Sequence, residues 1–393
     1  MVNKKKIIAV IMVVFCLFTF NACNIQTSNQ PTEQYLENGR YLIPVFEEVD
    51  IERNIPFSEV KNIEREMESL TLDIYKPAGD DKTNRPAVMF IHGGSFTGGD
   101  KESPPCDELA YELAMKGYVT ASINYRLRPE PSLDWGGTFM DTNQDALAAL
   151  NWIRKNSEKY RIDKENIAVC GESAGGVIAI NLAYCGNTSG EGVGKDGIFA
   201  VVDLYGPYMW SKIGKTKVPV LIIHGDKDPY VPYEQSVDLD KALSASDIYH
   251  EFFTMKGEGH NAKGIYWDDI ILRTTRFLYN TLYNYENGVF STESGVIKAS
   301  PGETITIVLN RRNSDDTSIR EININAPNGW KFESDAVKLA EQKNIEYKIM
   351  IPKKAERGSK YILFDQISEN GDKLGSIPVL VNVIEPLDME VYE

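Results

Sequence analysis

Ile167-Ala168-Val169-Cys170 runs directly into Gly171-Glu172-Ser173-Ala174-Gly175-Gly176 and then into the apolar stretch 177–184. Four apolar residues in a row suit a strand buried on both faces, and the stretch beyond Gly176 suits a helix. Between them stands a serine with Gly171 and Gly175 two positions to either side. A G-x-S-x-G spacing between strand and helix predicts a sharp turn that strains the serine backbone and leaves its hydroxyl clear at the sheet edge. The helix N-terminus beneath it favours negative charge developing there. Ser173 is thus the first candidate nucleophile.

Outward from this turn, strands and helices alternate. Leu70, Leu72 and Ile74 alternate as in a half-buried strand closed by Pro77-Ala78-Gly79-Asp80, and 87–91 and 119–125 are continuous apolar runs. Within 141–160, Ala146, Leu150 and Ile153 fall on one face of a helix. Segments 167–170, 199–204, 218–224 and 251–255 supply four further strands. Strands separated by helical segments imply a mostly parallel sheet covered on both faces.

Polar chemistry collects just after these strands, where open α/β sheets place their ligands. His92-Gly93-Gly94-Ser95-Phe96 follows 87–91, Gly225-Asp226-Lys227-Asp228-Pro229 follows 218–224, and Gly257-Glu258-Gly259-His260 follows 251–255. Backbone amides can crowd a developing oxyanion only where side chains are absent, which suits the glycines after His92. The chain order is serine, aspartate, histidine, each at a strand end. Asp226 and Asp228 both offer the carboxylate.

On these residues the segment 43–285 resembles the α/β-hydrolase carboxylesterases, near bacterial esterases related to hormone-sensitive lipase and to feruloyl and acetylxylan esterases. The matching stretches are Leu72-Asp73-Ile74-Tyr75-Lys76-Pro77, 92–98, Asn124-Tyr125-Arg126-Leu127, Asp145 to Leu150, the turn at Ser173, and His224-Gly225 with Asp228. The resemblance implies Ser173 as nucleophile, His260 as general base and acid, and Asp228 as the acid that orients His260. The amides of Gly94, Ser95 and Ala174 would form the oxyanion hole, although Ser95 stands where related lipases usually carry a third glycine. His92 is expected to organise its loop, His224 to be structural, His250 to lie at the surface and Glu172 to be structural. Asp203 is a less favoured position for the acid. No cofactor or metal is implied.

The 393 residues suffice for two domains, and 42% hydrophobic with 25% charged residues is ordinary for a globular chain. A formal charge of −15 leaves no basic stripe for phosphates, which argues against nucleic acid as a partner. Lys4-Lys5-Lys6, an apolar stretch 7–20 and Asn21-Ala22-Cys23 read as an export signal, too short to span a bilayer. Its end resembles a bacterial lipobox, with Phe20 in place of the usual Leu and Asn21 unusual before Ala22, which implies lipidation at Cys23 and a membrane-anchored protein at the cell surface; plain secretion and an uncleaved anchor are the alternatives. A disulfide between Cys106 and Cys185 is conceivable, while Cys170 reads as a buried apolar residue.

Segments 304–309, 319–324, 345–351 and 361–365 read as closely spaced strands without helices. With Pro301-Gly302 and Pro327-Asn328-Gly329-Trp330 they resemble the immunoglobulin-like accessory modules of carbohydrate-active enzymes, and Trp330 is either a sugar platform or a core residue. The expected class is α/β, an α/β-hydrolase fold with a mostly parallel sheet and a C-terminal all-β sandwich. Its expected parts are signal 1–23, polar linker 24–42, catalytic domain 43–286 and module 288–393. Thirteen residues, 205–217, separate two predicted strands where many lipases insert a lid. An open cleft walled by Tyr208, Met209 and Trp210 follows, which suits a bulky or polymer-attached ester better than a micellar lipid, so the expected substrate is a small-molecule or glycan-linked ester. A serine peptidase of the prolyl-oligopeptidase type and a surface binding protein on a degenerate scaffold are the rival readings.

Overall fold

A computed structural model describes residues 39–385, apart from 186–196, 210–212, 214–215, 314–317 and 335–338, together with a two-residue strand at Gln26–Thr27. The export signal, Cys23, most of the polar linker and Trp210 lie outside the described residues.

The larger sheet has eight strands: β1 Val49–Lys61, β2 Met67–Pro77, β3 Arg85–Ile91, β4 Val119–Ile123, β5 Ile162–Glu172, β6 Ala200–Leu204, β7 Val220–Gly225 and β8 His250–Met255. Their spatial order is β1-β2-β4-β3-β5-β6-β7-β8. β1 and β2 pair antiparallel, as do β2 and β4, and every other pairing is parallel. Registers Ile91↔Gly171, Glu172↔Leu204, Leu204↔Ile223 and Gly225↔Met255 bring the carboxyl ends of five strands to one edge. The loops that follow therefore converge, whatever their separation in sequence.

Helices α1 (Cys106–Ala114), α2 (Trp135–Lys155), α3 (Ser157–Tyr160), α4 (Ala174–Tyr184), α5 (Glu234–Ala245) and α6 (Trp267–Tyr283) connect the strands. Leu109 and Leu113 of α1 share a core with Ile270 and Phe277 of α6 on one face of the sheet. Ala146 and Leu150 of α2, Val177 and Ile178 of α4 and Leu239 and Leu243 of α5 form the core on the other. All eleven residues of α4 are buried, so it is apolar around its whole circumference. The helix expected over 141–160 begins earlier, where the Asp134 carboxylate accepts from the Gly137 amide at 2.9 Å, and stops at Asn156.

Arg126, from the stretch after β4, grips Asp145 of α2 through Nε and Nη2 at 2.8–3.1 Å, and its own amide donates to the same carboxylate at 2.9 Å. Removing one partner of so buried a pair costs about 3–5 kcal/mol. The sequence motifs around Arg126 and Asp145 thus hold the strand-to-helix loop rather than reactive chemistry.

The C-terminal part is a sandwich. One sheet contains β9 Phe290–Ser291, β11 Thr304–Arg311, β13 Lys331–Ser334 and β14 Asn344–Met350, with Gln26–Thr27 along β13. The other contains β10 Val296–Ala299, β12 Ile319–Asn325, β15 Gly358–Ser368 and β16 Lys373–Val383. Along β15 the side chains alternate between two cores. Ile362 and Phe364 enter the sandwich interior, whereas Tyr361 and Leu363 join the core beneath α1 and α6. Leu380 of β16 joins them there, and Lys298 of β10 reaches Asp269 of α6 at 2.9 Å. Trp330 is 2% exposed inside the sandwich core, so its ring cannot serve as a sugar platform. Cys106 and Cys185 are not bridged, and the Cys106 thiol, fully buried, donates instead to the Ile91 carbonyl at 3.4 Å.

Candidate active site

Ser173 directly follows β5 and caps α4 with φ 51° and ψ −116°, a conformation that L-residues avoid. Its amide donates to the Leu204 carbonyl at 2.9 Å, and its own carbonyl accepts from Gly176 at 3.0 Å. The turn closes only because the glycines on either side touch. A Cβ on Gly171 would lie 2.1 Å from the Gly175 carbonyl oxygen.

His260 follows β8 and Asp228 follows β7. The His260 Nδ1 lies 2.6 Å from Asp228 Oδ2, so Nδ1–H donates to the carboxylate and Nε2 is left for the cleft. Asp228 Oδ1 accepts from the amides of Tyr230 and Val231 at 2.8 and 2.9 Å. Burial pushes the Asp228 carboxyl up, but the Val231 amide, His260 and the Tyr230 amide outweigh it and hold the group below the usual carboxylate range. Asp226 takes no part. It accepts from the Gly257 amide at 2.7 Å and struts the two loops together. Asp203 is equally removed, bonded to the Gly206 amide at 3.0 Å and pushed up to about 8 by burial.

Ser173 and His260 line one cleft of about 530 Å³ together with Gly94, Ser95 and Ala174. No hydrogen bond joins the Ser173 hydroxyl to His260 among the described residues. Nucleophile–base bonds often tighten only when substrate is seated. The amides of Gly94, Ser95 and Ala174 likewise have no protein acceptor among the described residues, whereas that of Gly93 is taken by Glu172 Oε1 at 2.7 Å. Gly94, Ser95 and Phe96 have φ of 102°, 54° and 65°, three consecutive left-handed residues that turn the loop inward. Ser95 therefore adopts the conformation for which glycine is usual, at a cost of about 1 kcal/mol.

Neighbouring residues hold this loop. His92 Nδ1 donates to the Gly93 carbonyl at 2.7 Å, and its ring stacks on Tyr125 at 4.4 Å, a loop-organising position. Glu172 links the nucleophile turn to the glycine loop. Burial raises its carboxyl, and the Gly93 amide and Tyr205 hydroxyl only partly pull it back. Tyr205 and Tyr230 set their rings edge-on to His260 at centroid distances of 4.6 and 5.6 Å.

Of the wall expected after β6, Met209 lines the cleft. Tyr208 does not line it and packs instead against the core that contains α4. The aromatic lining comes from Phe96, Trp135 and Tyr230, which the sequence reading did not single out. Tyr230 is 79% exposed, an apolar ring held at the mouth by its position between Pro229 and Val231. His224, expected to be structural, touches the site directly. Fully buried, it places Nε2 3.1 Å from Asp228 Oδ2 and 3.1 Å from the Val231 carbonyl, and Nδ1 2.6 Å from Ser236 Oγ. His250, half-buried, pairs with Asp240 at 3.1 Å, far from this chemistry. Among the described residues no cluster of three or more His, Cys, Asp or Glu side chains could hold a metal ion.

Residues 72–213 match the BD-FAE family model, and residues 192–283 match that of the prolyl oligopeptidase family. The chain has the α/β-hydrolase fold. Esterase LipC of Mycobacterium tuberculosis is 26% identical to this α/β-hydrolase over 237 residues, 48% of this chain and 56% of the relative. Ethyl acetate hydrolase of Pseudomonas putida is 32% identical over 128 residues, 32% of this chain and 38% of the relative. The chain thus spans about half or less of the length of these curated relatives. Among solved structures, butyrate-bound esterase Est2 of Thermogutta terrifontis superposes with TM-score 0.47 at 20% identity, covering 58% of this chain and 92% of its own. A truncated carbohydrate esterase from gut microbiota gives 0.45 at 23% identity, covering 58% and 96%.

Proposed function

We propose that this α/β-hydrolase is a serine carboxylesterase, with acetyl or feruloyl esters of carbohydrates as its substrates. The observation that carries the reading is the His260–Asp228 pair, 2.6 Å apart, opening onto the same cleft as Ser173 on its strained turn. Ser173 Oγ attacks the ester carbonyl while His260 Nε2 takes its proton. The amides of Gly94, Ser95 and Ala174 receive the oxyanion, and His260 returns the proton to the departing alcohol. Water, activated by the same imidazole, then releases the acid from Ser173 and regenerates the hydroxyl. The names of the two curated relatives support ester rather than amide chemistry.

The glycine loop has a sharp requirement. A Cβ on Gly94 would sit 2.2 Å from the Gly98 carbonyl oxygen, at a φ of 102° that alanine resists. Gly94→Ala is expected to lower kcat about 100-fold by displacing the oxyanion donors, with far-UV circular dichroism unchanged. Wild-type turnover in that variant would exclude this loop from the mechanism.

The glycan part of the reading rests on the aromatic cleft mouth formed by Trp135 and Tyr230 and on the appended sandwich. It is tested by incubating the protein with acetylated and feruloylated xylan and measuring released acetate and ferulate. Turnover of p-nitrophenyl esters with no release from xylan would overturn it. The prolyl oligopeptidase match covers the strands that carry Asp228 and His260, so peptide amides are the second reading, separated by a peptide-amide assay. We also propose export and anchoring through a lipid on Cys23, read from the first 23 residues. A Cys23→Ala variant released from the membrane fraction would support it.

A further inference from the structure

Asp228 is held from more directions than the serine hydrolase reading requires. Its Oδ1 takes two backbone amides, and its Oδ2 is shared by two imidazoles, His260 at 2.6 Å and His224 at 3.1 Å. The protons on His224 follow from its partners. Nε2 faces two acceptors, Asp228 Oδ2 and the Val231 carbonyl, so it must carry hydrogen; a lone pair there would meet two oxygens. Nδ1 then has the lone pair, and the Ser236 hydroxyl donates into it at 2.6 Å. His224 and Ser236 are both 0% exposed, so no water substitutes for either bond. Burial also holds the His224 imidazole below its ordinary range, which keeps it neutral in this tautomer. The chain of donation runs from Ser236 to His224 to Asp228, and Asp228 receives the proton of His260 from the opposite side.

We propose that His224 is a positioning residue for the active site: with its tautomer fixed by Ser236, it supplies the fourth hydrogen bond to Asp228 and fixes the plane in which that carboxylate meets His260. This rests on the serine hydrolase reading above. Without His224, Oδ2 keeps His260 as its only donor and the carboxylate turns about its two backbone contacts. Its charge, less neutralised, then holds the His260 imidazolium more tightly. The other groups facing His260, namely Glu172, Tyr205 and Tyr230, are untouched by the substitution.

The test uses the whole protein with p-nitrophenyl acetate and a fluorophosphonate probe, comparing wild type with His224→Ala, His224→Gln and Ser236→Ala. His224→Ala is expected to lower kcat about 10-fold, the worth of one hydrogen bond to a buried charge, with KM little changed. The acid limb of its kcat/KM profile moves to higher pH, because the His260 imidazolium is better stabilised. His224→Gln restores an N–H near the Nε2 position and recovers most of the rate. Ser236→Ala shifts the limb in the same direction by a smaller amount. A folded His224→Ala with wild-type kcat and limb overturns the inference while leaving the serine hydrolase reading intact. If that variant does not fold, an unmoved limb in Ser236→Ala overturns it. Wild-type protein that takes up no probe overturns both.

Discussion

Ser173→Ala is expected to lose fluorophosphonate labelling completely and to lower ester turnover by about 10⁵-fold or more. The substitution removes one oxygen from a half-buried position and leaves the backbone of the turn to Gly171 and Gly175. Alanine at φ 51° bears the strain serine already bears, so folding and substrate binding persist while chemistry stops. Residual turnover reports the oxyanion amides alone. Labelling that survives in the variant would locate the reactive nucleophile elsewhere and remove the basis for every role assigned to His260 and Asp228.

Asp228→Asn is expected to lower kcat about 10⁴-fold, the loss that follows when a triad imidazole is held in the wrong tautomer. The surroundings decide how the amide sits. Two backbone N–H groups, from Tyr230 and Val231, point at the Oδ1 position and cannot change their polarity. They draw the amide oxygen to themselves and turn the NH₂ toward His260 and His224. His260 Nδ1 must then accept, its proton moves to Nε2, and the group facing Ser173 can no longer serve as a base. Measurement of kcat and of probe labelling checks this, and wild-type rates would show that Asp228 does not orient His260. The same contacts bear on stability. The depressed folded-state pKa of Asp228 stabilises the native protein above its unfolded value of about 3.9. That contribution fades as pH falls through the folded value and is absent from Asp228→Asn.

The parallel strands were legible because burial on both faces leaves continuous apolar runs such as Val88 to Ile91 and Ile167 to Cys170. β1 was not. Val49–Lys61 is an edge strand carrying Pro56, several charges and two register shifts, so neither alternation nor an apolar run marks it. Helices α1, α5 and α6 were passed over as connections, and β16 hides in 373–383 because Gly375 and Pro378 interrupt its pattern. In the site, the Ser173, Asp228 and His260 positions could be read because each follows a strand whose end the sequence marks. The bond from Glu172 to the Gly93 amide could not. It joins residues 79 apart in sequence through the register of β3 against β5. His224 read as a strand-end residue for the same reason. Its partner Ser236 sits on α5, and only the fold turns that side chain back toward β7.

Because Tyr361, Leu363 and Leu380 are sealed into the core beneath α1 and α6, the C-terminal sandwich is a load shared with the hydrolase rather than a rider on it. Cutting the chain after α6 would lay bare an oily stripe along that helix and invite aggregation. The two folds should accordingly melt in one step, and neither can be exchanged for another module without rebuilding the seam.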